Sequence, residues 1–86
     1  MYKQQVTVNC ASGLHNEQVT YFVQKANEFR SNIYLELGSK KMNAKSLLGI
    51  MSMCVGAGAD VTIIADGSDE QIAVTTLCEM LQRDIG

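Results

Sequence analysis

The sequence has no tryptophan, no proline and only one histidine, and its three cysteines are far apart. Because Cys10, Cys54 and Cys78 are odd in number and widely separated, they indicate neither a disulfide framework nor the C-x-x-C spacing of a metal site. No pair of histidines or cysteines supplies a ligand motif. We therefore predict that the cysteines are small core residues in a reducing cytoplasm, and that the protein uses no metal and no cofactor.

A basic surface and a long apolar run are absent as well. The net charge is −2 and the pI is about 5.2. This balance argues against nucleic acid as a direct partner, because phosphate binding requires a basic surface. No apolar run reaches the length of a membrane span, and the first five residues lack the pattern of a signal peptide. The sequence therefore predicts a cytoplasmic protein without membrane insertion.

The chain is long enough and apolar enough for one domain with its own core. It has 86 residues, 47% of them hydrophobic, and it contains no repeat, linker or low-complexity segment. We predict a single domain over residues 1–86. Hydrophobic spacing of two predicts strands over residues 2–8, 32–37, 40–43 and 60–65. Spacings of three and four predict helices over residues 16–30, from Ser46 for a short segment, and from Ser68 to about Arg83.

The order strand, helix, strand, strand, helix, strand, helix predicts a two-layer α+β sandwich. One face of the sheet would pack on the helices, and its polar face would be open to water or to a partner. Ser68 and Gln71 have the spacing of a capping box, so the last helix is predicted to begin at Ser68. The apolar face of that helix is predicted to comprise Ile72, Ala73, Thr76, Leu77, Met80 and Leu81.

The single histidine, His15, lies where a strand-like run gives way to a helix-like run. Its imidazole titrates near neutral pH, and a helix N-terminus presents unpaired backbone N–H groups and the positive end of the helix dipole. This junction is therefore a candidate anion site. The alternative is that His15 is only a surface or capping residue of the loop before the helix.

Three stretches carry a resemblance to a known family. They are Gly13-Leu14-His15, residues 40–51 (KKMNAKSLLGIM), and residues 58–63 (GADVTI) together with Asp69-Glu70. The sequence resembles HPr, the histidine-containing phosphocarrier of the bacterial phosphotransferase system, including its catabolite-repression relatives. The resemblance covers nearly the whole chain. It implies an HPr-like open-faced β-sandwich, in which three helices cover a four-stranded antiparallel sheet.

The resemblance also implies a function and its residues. His15 would accept a phosphoryl group from a phosphoenolpyruvate-dependent enzyme and pass it to a sugar-transport subunit, with the backbone N–H groups of Asn16 and Glu17 near the phosphate. Ser46 would be phosphorylated by a dedicated serine kinase, and that form would bind a catabolite control transcription factor. The exposed partner-binding patch would be Leu47, Leu48 and Met51. Such a protein is a phosphoryl carrier and not an enzyme, because it acts only with partner enzymes.

The residues after the histidine depart from the family pattern. The family continues with Ala-Arg-Pro, whereas this chain has Asn16-Glu17-Gln18. A dianion about 5 Å from the Glu17 carboxylate would experience roughly 2–7 kcal/mol of repulsion before salt screening. The chain also lacks the guanidinium N–H donors with which the family's arginine would bind the phosphate. An acidic residue in a first turn is also a favourable complement to the helix dipole, so Glu17 has a structural interpretation as well.

Three hypotheses about function follow. The first is a phosphocarrier that uses His15. The second is a regulatory binding module that acts through Ser46 and its apolar patch, with His15 largely inactive because of Glu17. Retention of the histidine favours the first, and loss of the Arg-Pro pair favours the second, or a carrier whose partner meets Glu17 with a basic surface. The third, an unrelated small-molecule or metal-binding domain, lacks a ligand motif.

Overall fold

The computed structural model of the chain describes residues 1–9 and 17–83. Its elements are β1 (Tyr2–Thr7), α1 (Glu17–Ala26), β2 (Asn32–Leu37), β3 (Lys40–Asn43), α2 (Leu47–Ser52), β4 (Asp60–Asp66) and α3 (Glu70–Gln82). The predicted order of elements and the predicted fold class are confirmed. No helix in the described part of the chain is long and apolar enough to cross a membrane.

The four strands form one antiparallel sheet in the order β1-β4-β2-β3. β4 lies between β1 and β2, with Val6 opposite Val61 and Leu35 opposite Ile63. These side chains share one face, because alternate residues of a strand point the same way. They join buried residues of all three helices in one hydrophobic core.

The other face of the sheet is less polar than predicted at one position. Ile64 points away from the core residues of β4, yet it is only 7% exposed. Its cross-strand neighbours are Lys3 on β1 and Tyr34 on β2. The Lys41 ammonium lies 4.9 Å from the centre of the Tyr34 ring, which is a cation–π distance. Long side chains on this face therefore shield an apolar centre.

Helix α1 ends at Ala26, although its sequence pattern predicted a helix to residue 30. The Asn27 amide donates to the carbonyl oxygens of Val23 (2.8 Å) and Lys45 (3.2 Å). The N–H groups of Glu28 and Phe29 donate to the carbonyls three residues back, those of Lys25 and Ala26, so a tighter turn follows the helix. The N–H groups of Arg30 and Ser31 then donate to the Asp69 carboxylate. The apolar spacing continues past Ala26, but the helical hydrogen bonds do not, because the tighter turn and then a partner distant in the sequence take the N–H groups.

Helix α3 begins one residue later than predicted, with Asp69 and not Ser68 as its N-cap. The Asp69 side chain makes no capping hydrogen bond within the helix. It accepts from the Arg30 N–H (2.8 Å), the Ser31 N–H (3.0 Å) and the Ser31 hydroxyl (2.5 Å). These bonds, with the Ser31 hydroxyl contributing most, lower the pKa of Asp69 to about 2. Asp69 thereby ties the start of α3 to the segment between α1 and β2.

Two predictions about buried residues are wrong. Ile72 is largely exposed, because the buried face of α3 consists of Ala73, Val74, Leu77, Cys78 and Leu81. Of the cysteines predicted to lie in the core, Cys78 is buried and burial raises the pKa of its thiol to about 11. Cys54 is exposed, in the turn that follows α2. Cys10 lies outside the described residues.

Candidate functional site

The predicted site residues occupy two helix starts. Glu17 is the first residue of α1, and Ser46 is the N-cap of α2. His15 and Asn16, the proposed phosphoryl acceptor and one of its backbone contacts, lie outside the described residues.

Ser46 is exposed and has the conformation of an N-cap. Its φ and ψ angles are −101° and 112°, and its Oγ accepts a hydrogen bond from the Gly49 N–H at 3.1 Å. Gly49 permits this close approach, since a Cβ at that position would lie 3.2 Å from the Ser46 Oγ. The Ser46 carbonyl accepts from Ile50, and its N–H donates to Asn43. The hydroxyl is thus held at the surface by an ordered backbone.

The segment before Ser46 is anchored to the end of α1. The Lys45 ammonium donates to the carbonyl oxygen of Phe29 at 2.7 Å, and the Lys45 carbonyl accepts from the Asn27 amide. The Lys45 N–H donates to the Asn43 side chain at 2.8 Å. These contacts hold the start of α2 against α1, so the two helices present a common surface.

The three residues predicted to form the apolar patch are exposed. The exposed fractions of Leu47, Leu48 and Met51 are 41%, 80% and 46%. Ile50, in the same short helix, is fully buried. Because α2 has only six residues and one buried side chain within its bounds, its remaining large side chains stay in contact with solvent. Exposed apolar residues grouped in this way are typical of an interaction surface.

A groove between α1 and α2 adjoins this patch. Its volume is about 500 Å³, and its lining comprises Glu17, Thr20, Tyr21, Gln24 and Met51. Tyr21 is 52% exposed. The sequence interpretation did not identify Tyr21 or Gln24 as site residues. Tyr21 lies four residues after Glu17 and Gln24 three residues after Tyr21, on the polar side of α1, and this helical spacing was the signal that could have found them.

The charge of this surface is set by Glu17. Among the described residues, its carboxylate forms no salt bridge with a lysine or arginine. The Lys25 ammonium pairs with Glu28 at 3.1 Å instead. The combined site is therefore an exposed serine hydroxyl beside an apolar patch, next to a groove in which Glu17 is the only charged residue among those that the structure describes.

Comparison with known proteins identifies the family of the chain. The family model for the PTS HPr component phosphorylation site matches residues 2–83. The chain belongs to the HPr family. Proteins of this family are phosphocarriers and are not enzymes themselves.

Two relatives and one solved structure illustrate the similarity. The HPr-like protein Crh of Bacillus subtilis (strain 168) is 44% identical over 85 residues, which cover 99% of this chain and 100% of the relative. Crh of Halalkalibacterium halodurans is 40% identical over 84 residues, covering 98% and 100%. The crystal structure of the phosphocarrier protein HPr from Bacillus anthracis str. Ames has a TM-score of 0.92 at 38% identity, covering 94% and 96%.

Proposed function

We propose that this chain is an HPr-like phosphoprotein of the bacterial phosphoenolpyruvate-dependent sugar phosphotransferase system, acting in the cytoplasm in carbon catabolite repression. Ser46 is its site of regulatory phosphorylation. Leu47, Leu48 and Met51 are its partner-binding patch. The observation that carries the proposal is the exposed Ser46 hydroxyl at the edge of an exposed apolar patch. The description of the 43% identical Crh of Bacillus subtilis as the catabolite repression HPr supports a role in catabolite repression.

Phosphorylation would change this surface in a defined way. A serine kinase transfers the γ-phosphoryl group of ATP to the Ser46 Oγ, so that an O–P bond forms, the bond to ADP breaks and the hydroxyl proton leaves. The phosphoserine carries a charge of about −1.5 to −2 at neutral pH. Its oxygens would lie near the Gly49 N–H, which already donates to the Ser46 Oγ. A catabolite control transcription factor would then recognise the phosphate and the apolar patch together.

The test of this proposal is phosphorylation by the family's serine kinase with ATP. We expect acid-stable phosphate on the wild-type chain and none on Ser46→Ala. The Ser52→Ala variant is a matched control, since Ser52 is an exposed serine of the same helix. Wild-type protein that takes no acid-stable phosphate would remove the main support for the regulatory role.

A second candidate function is phosphoryl transfer through His15, which the description of the matching family model as a phosphorylation site favours. A neutral imidazole nitrogen would take the phosphoryl group from the first enzyme of the system and release it to a sugar-transport subunit. The backbone N–H groups of Asn16 and Glu17 would contact the phosphate. The Glu17 carboxylate would oppose the step by charge repulsion.

This candidate is tested by incubating the chain with phosphoenolpyruvate and the first enzyme of the phosphotransferase system. Acid-labile phosphate on the wild-type chain, absent from His15→Ala, is the result that a working carrier requires. If the wild type stays unlabelled while Glu17→Arg is labelled, the carrier hypothesis fails for this chain, and the charge at position 17 is the reason.

A further inference from the structure

Among the described residues, the groove between α1 and α2 is lined by one acidic side chain and by the larger side chains of Tyr21 and Met51, with Thr20 and Gln24 beside them. Four of its lining residues belong to α1 and one, Met51, belongs to α2. Glu17 is the only charged residue among them. Tyr21 and Met51 are about half exposed, and Leu48, on the neighbouring turn of α2, is 80% exposed. The groove therefore offers a carboxylate, an aromatic face and a thioether within one concave surface.

The basic side chains near these helices are bound elsewhere. Lys25 forms a salt bridge with Glu28, and the Lys45 ammonium donates to the Phe29 carbonyl. Glu17 therefore has no lysine or arginine partner among the described residues. A carboxylate in a groove, without a cation beside it, attracts a partner of opposite charge and repels one of the same charge.

Arginine is the side chain that fits this combination. Its planar guanidinium pairs with a carboxylate through two parallel hydrogen bonds and stacks on aromatic rings. Its aliphatic stem packs on apolar side chains. Lysine provides the charge but neither the fork of donors nor the planar face.

We propose that this groove receives an arginine of a protein partner, with the guanidinium on Glu17 and Tyr21 and an adjacent aliphatic residue of the partner on Met51 and Leu48. This inference rests on the proposed function, because it assigns the chemistry of the partner surface that meets the same face as Ser46. The sign of the charge at position 17 then selects the partner: a surface with an acidic residue at this place is rejected.

The first experiment uses the full chain phosphorylated on Ser46 and the catabolite control transcription factor of the same cell, with binding measured by calorimetry at low and physiological salt. We expect Glu17→Gln to weaken binding about tenfold and to reduce its salt dependence, because a close charge pair is lost. Glu17→Arg should weaken binding further, and Tyr21→Ala should weaken it to a smaller extent. Glu79→Gln is the matched control, since it removes the same charge from an exposed position on α3 and should leave affinity unchanged.

Equal affinities of the wild type and Glu17→Gln, or tighter binding by Glu17→Arg, would overturn the inference while the proposed function stands. If the phosphorylated wild type fails to bind the transcription factor at all, the proposed function is contradicted, and a second experiment tests the groove independently. Here ¹⁵N-labelled chain is titrated with a short helical peptide that carries arginine and leucine four residues apart, and with the same peptide containing glutamate for arginine.

We expect the arginine peptide to shift the amide resonances of Thr20, Tyr21 and Gln24, and the glutamate peptide to leave them unchanged. Loss of the shifts in Glu17→Gln would support the assignment. Equal shifts with both peptides, or none with either, would overturn it. Self-association in analytical ultracentrifugation that Glu17→Gln abolishes would identify a second copy of the chain as the occupant, and would also overturn the assignment to a different protein.

Discussion

Cys54 has a φ angle of +51°. Among the described residues, it is the only one other than glycine with a positive φ. It follows Met53, the C-cap of α2, and its N–H donates to the Met51 carbonyl. This left-handed conformation closes many helices and is usually adopted by glycine, because a Cβ approaches the backbone there. The number and the spacing of the cysteines, from which a core position was predicted, contained no information about this conformation.

Replacing Cys54 with glycine should therefore stabilise the protein. We expect Cys54→Gly to raise the free energy of unfolding by about 1 kcal/mol, since the left-handed conformation costs other residues about 1–2 kcal/mol. Urea denaturation followed by circular dichroism measures the change. Cys54→Ala is the matched control and should bring no gain, because alanine keeps the Cβ. Equal stabilisation by both variants would show that the thiol, and not the backbone conformation, is responsible.

Asp69 makes stability depend on pH in the acidic range. Its hydrogen bonds with Ser31 and Arg30 lower the pKa of its carboxyl in the folded protein from 3.8 to about 2. Because the folded-state value lies below the ordinary value, the carboxylate stabilises the fold fully above pH 3.8, and this contribution is lost as the pH falls towards 2.

We expect Asp69→Asn to be less stable than the wild type at neutral pH, with the difference shrinking to a minimum near pH 2. Urea midpoints measured at a series of pH values provide the comparison. Ser31→Ala should show part of the same loss, because the Ser31 hydroxyl is the main cause of the lowered pKa. A difference between Asp69→Asn and wild type that stays constant with pH would contradict this role for the carboxylate.

At the scale of elements, the stability of α2 depends on its N-cap, because the helix is short. It has six residues, fewer than an isolated helix needs, and the Ser46 hydroxyl accepts from the Gly49 N–H at its start. We expect Ser46→Ala to lower the free energy of unfolding by about 1 kcal/mol, whereas Ser46→Asp keeps most of the stability because aspartate is also a good N-cap.

Thermal and urea denaturation of these two variants measure the effect. The comparison also matters for phosphorylation experiments, because Ser46→Ala removes a cap as well as an acceptor hydroxyl. Ser52→Ala is the control, since Ser52 lies at the end of the helix and its hydroxyl donates to the Gly49 carbonyl. Equal stability of wild type and Ser46→Ala would show that the capping bond contributes nothing measurable.

At the scale of the whole molecule, α2 contributes one residue to the packed core and another to the exposed apolar patch. Ile50 is fully buried in the core, and Leu48 is largely exposed. We expect Ile50→Ala to lower the free energy of unfolding by about 2–5 kcal/mol, as large-to-small substitutions in cores do. Leu48→Ala should change it by less than about 0.5 kcal/mol.

Leu48→Ala, which should hardly change the stability, should have a clear effect on binding. Leu48→Ala should weaken the complex of the Ser46-phosphorylated chain with its transcription factor, while its urea midpoint stays at the wild-type value. Calorimetry and urea denaturation on the same samples separate the two effects. A Leu48→Ala variant that binds as tightly as the wild type would remove Leu48 from the partner-binding patch.

The local spacing of hydrophobic residues determined most of the secondary structure of this protein. Spacing of two predicted a strand over residues 32–37, and spacings of three and four predicted a helix in residues 16–30. The structure has β2 at Asn32–Leu37 and α1 at Glu17–Ala26, with Val19, Phe22 and Val23 buried. The sequence around Ser46 also predicted a helix start there, and Ser46 is the observed N-cap. These features depend on neighbours within a few residues, so the chain order alone contains them. The roles of His15 and Ser46 in phosphorylation remain predictions.

The end of α1 and the beginning of α3 were decided only by the tertiary structure. After the turn that follows α1, the N–H groups of Arg30 and Ser31 donate to the Asp69 carboxylate, 39 residues beyond Arg30, and not to helix carbonyls. The same contact makes Asp69, and not Ser68, the residue at the start of α3. The groove beside Glu17 likewise requires α2 to pack on α1. Such features depend on hydrogen bonds and packing between distant residues, which the periodicity of one segment does not encode.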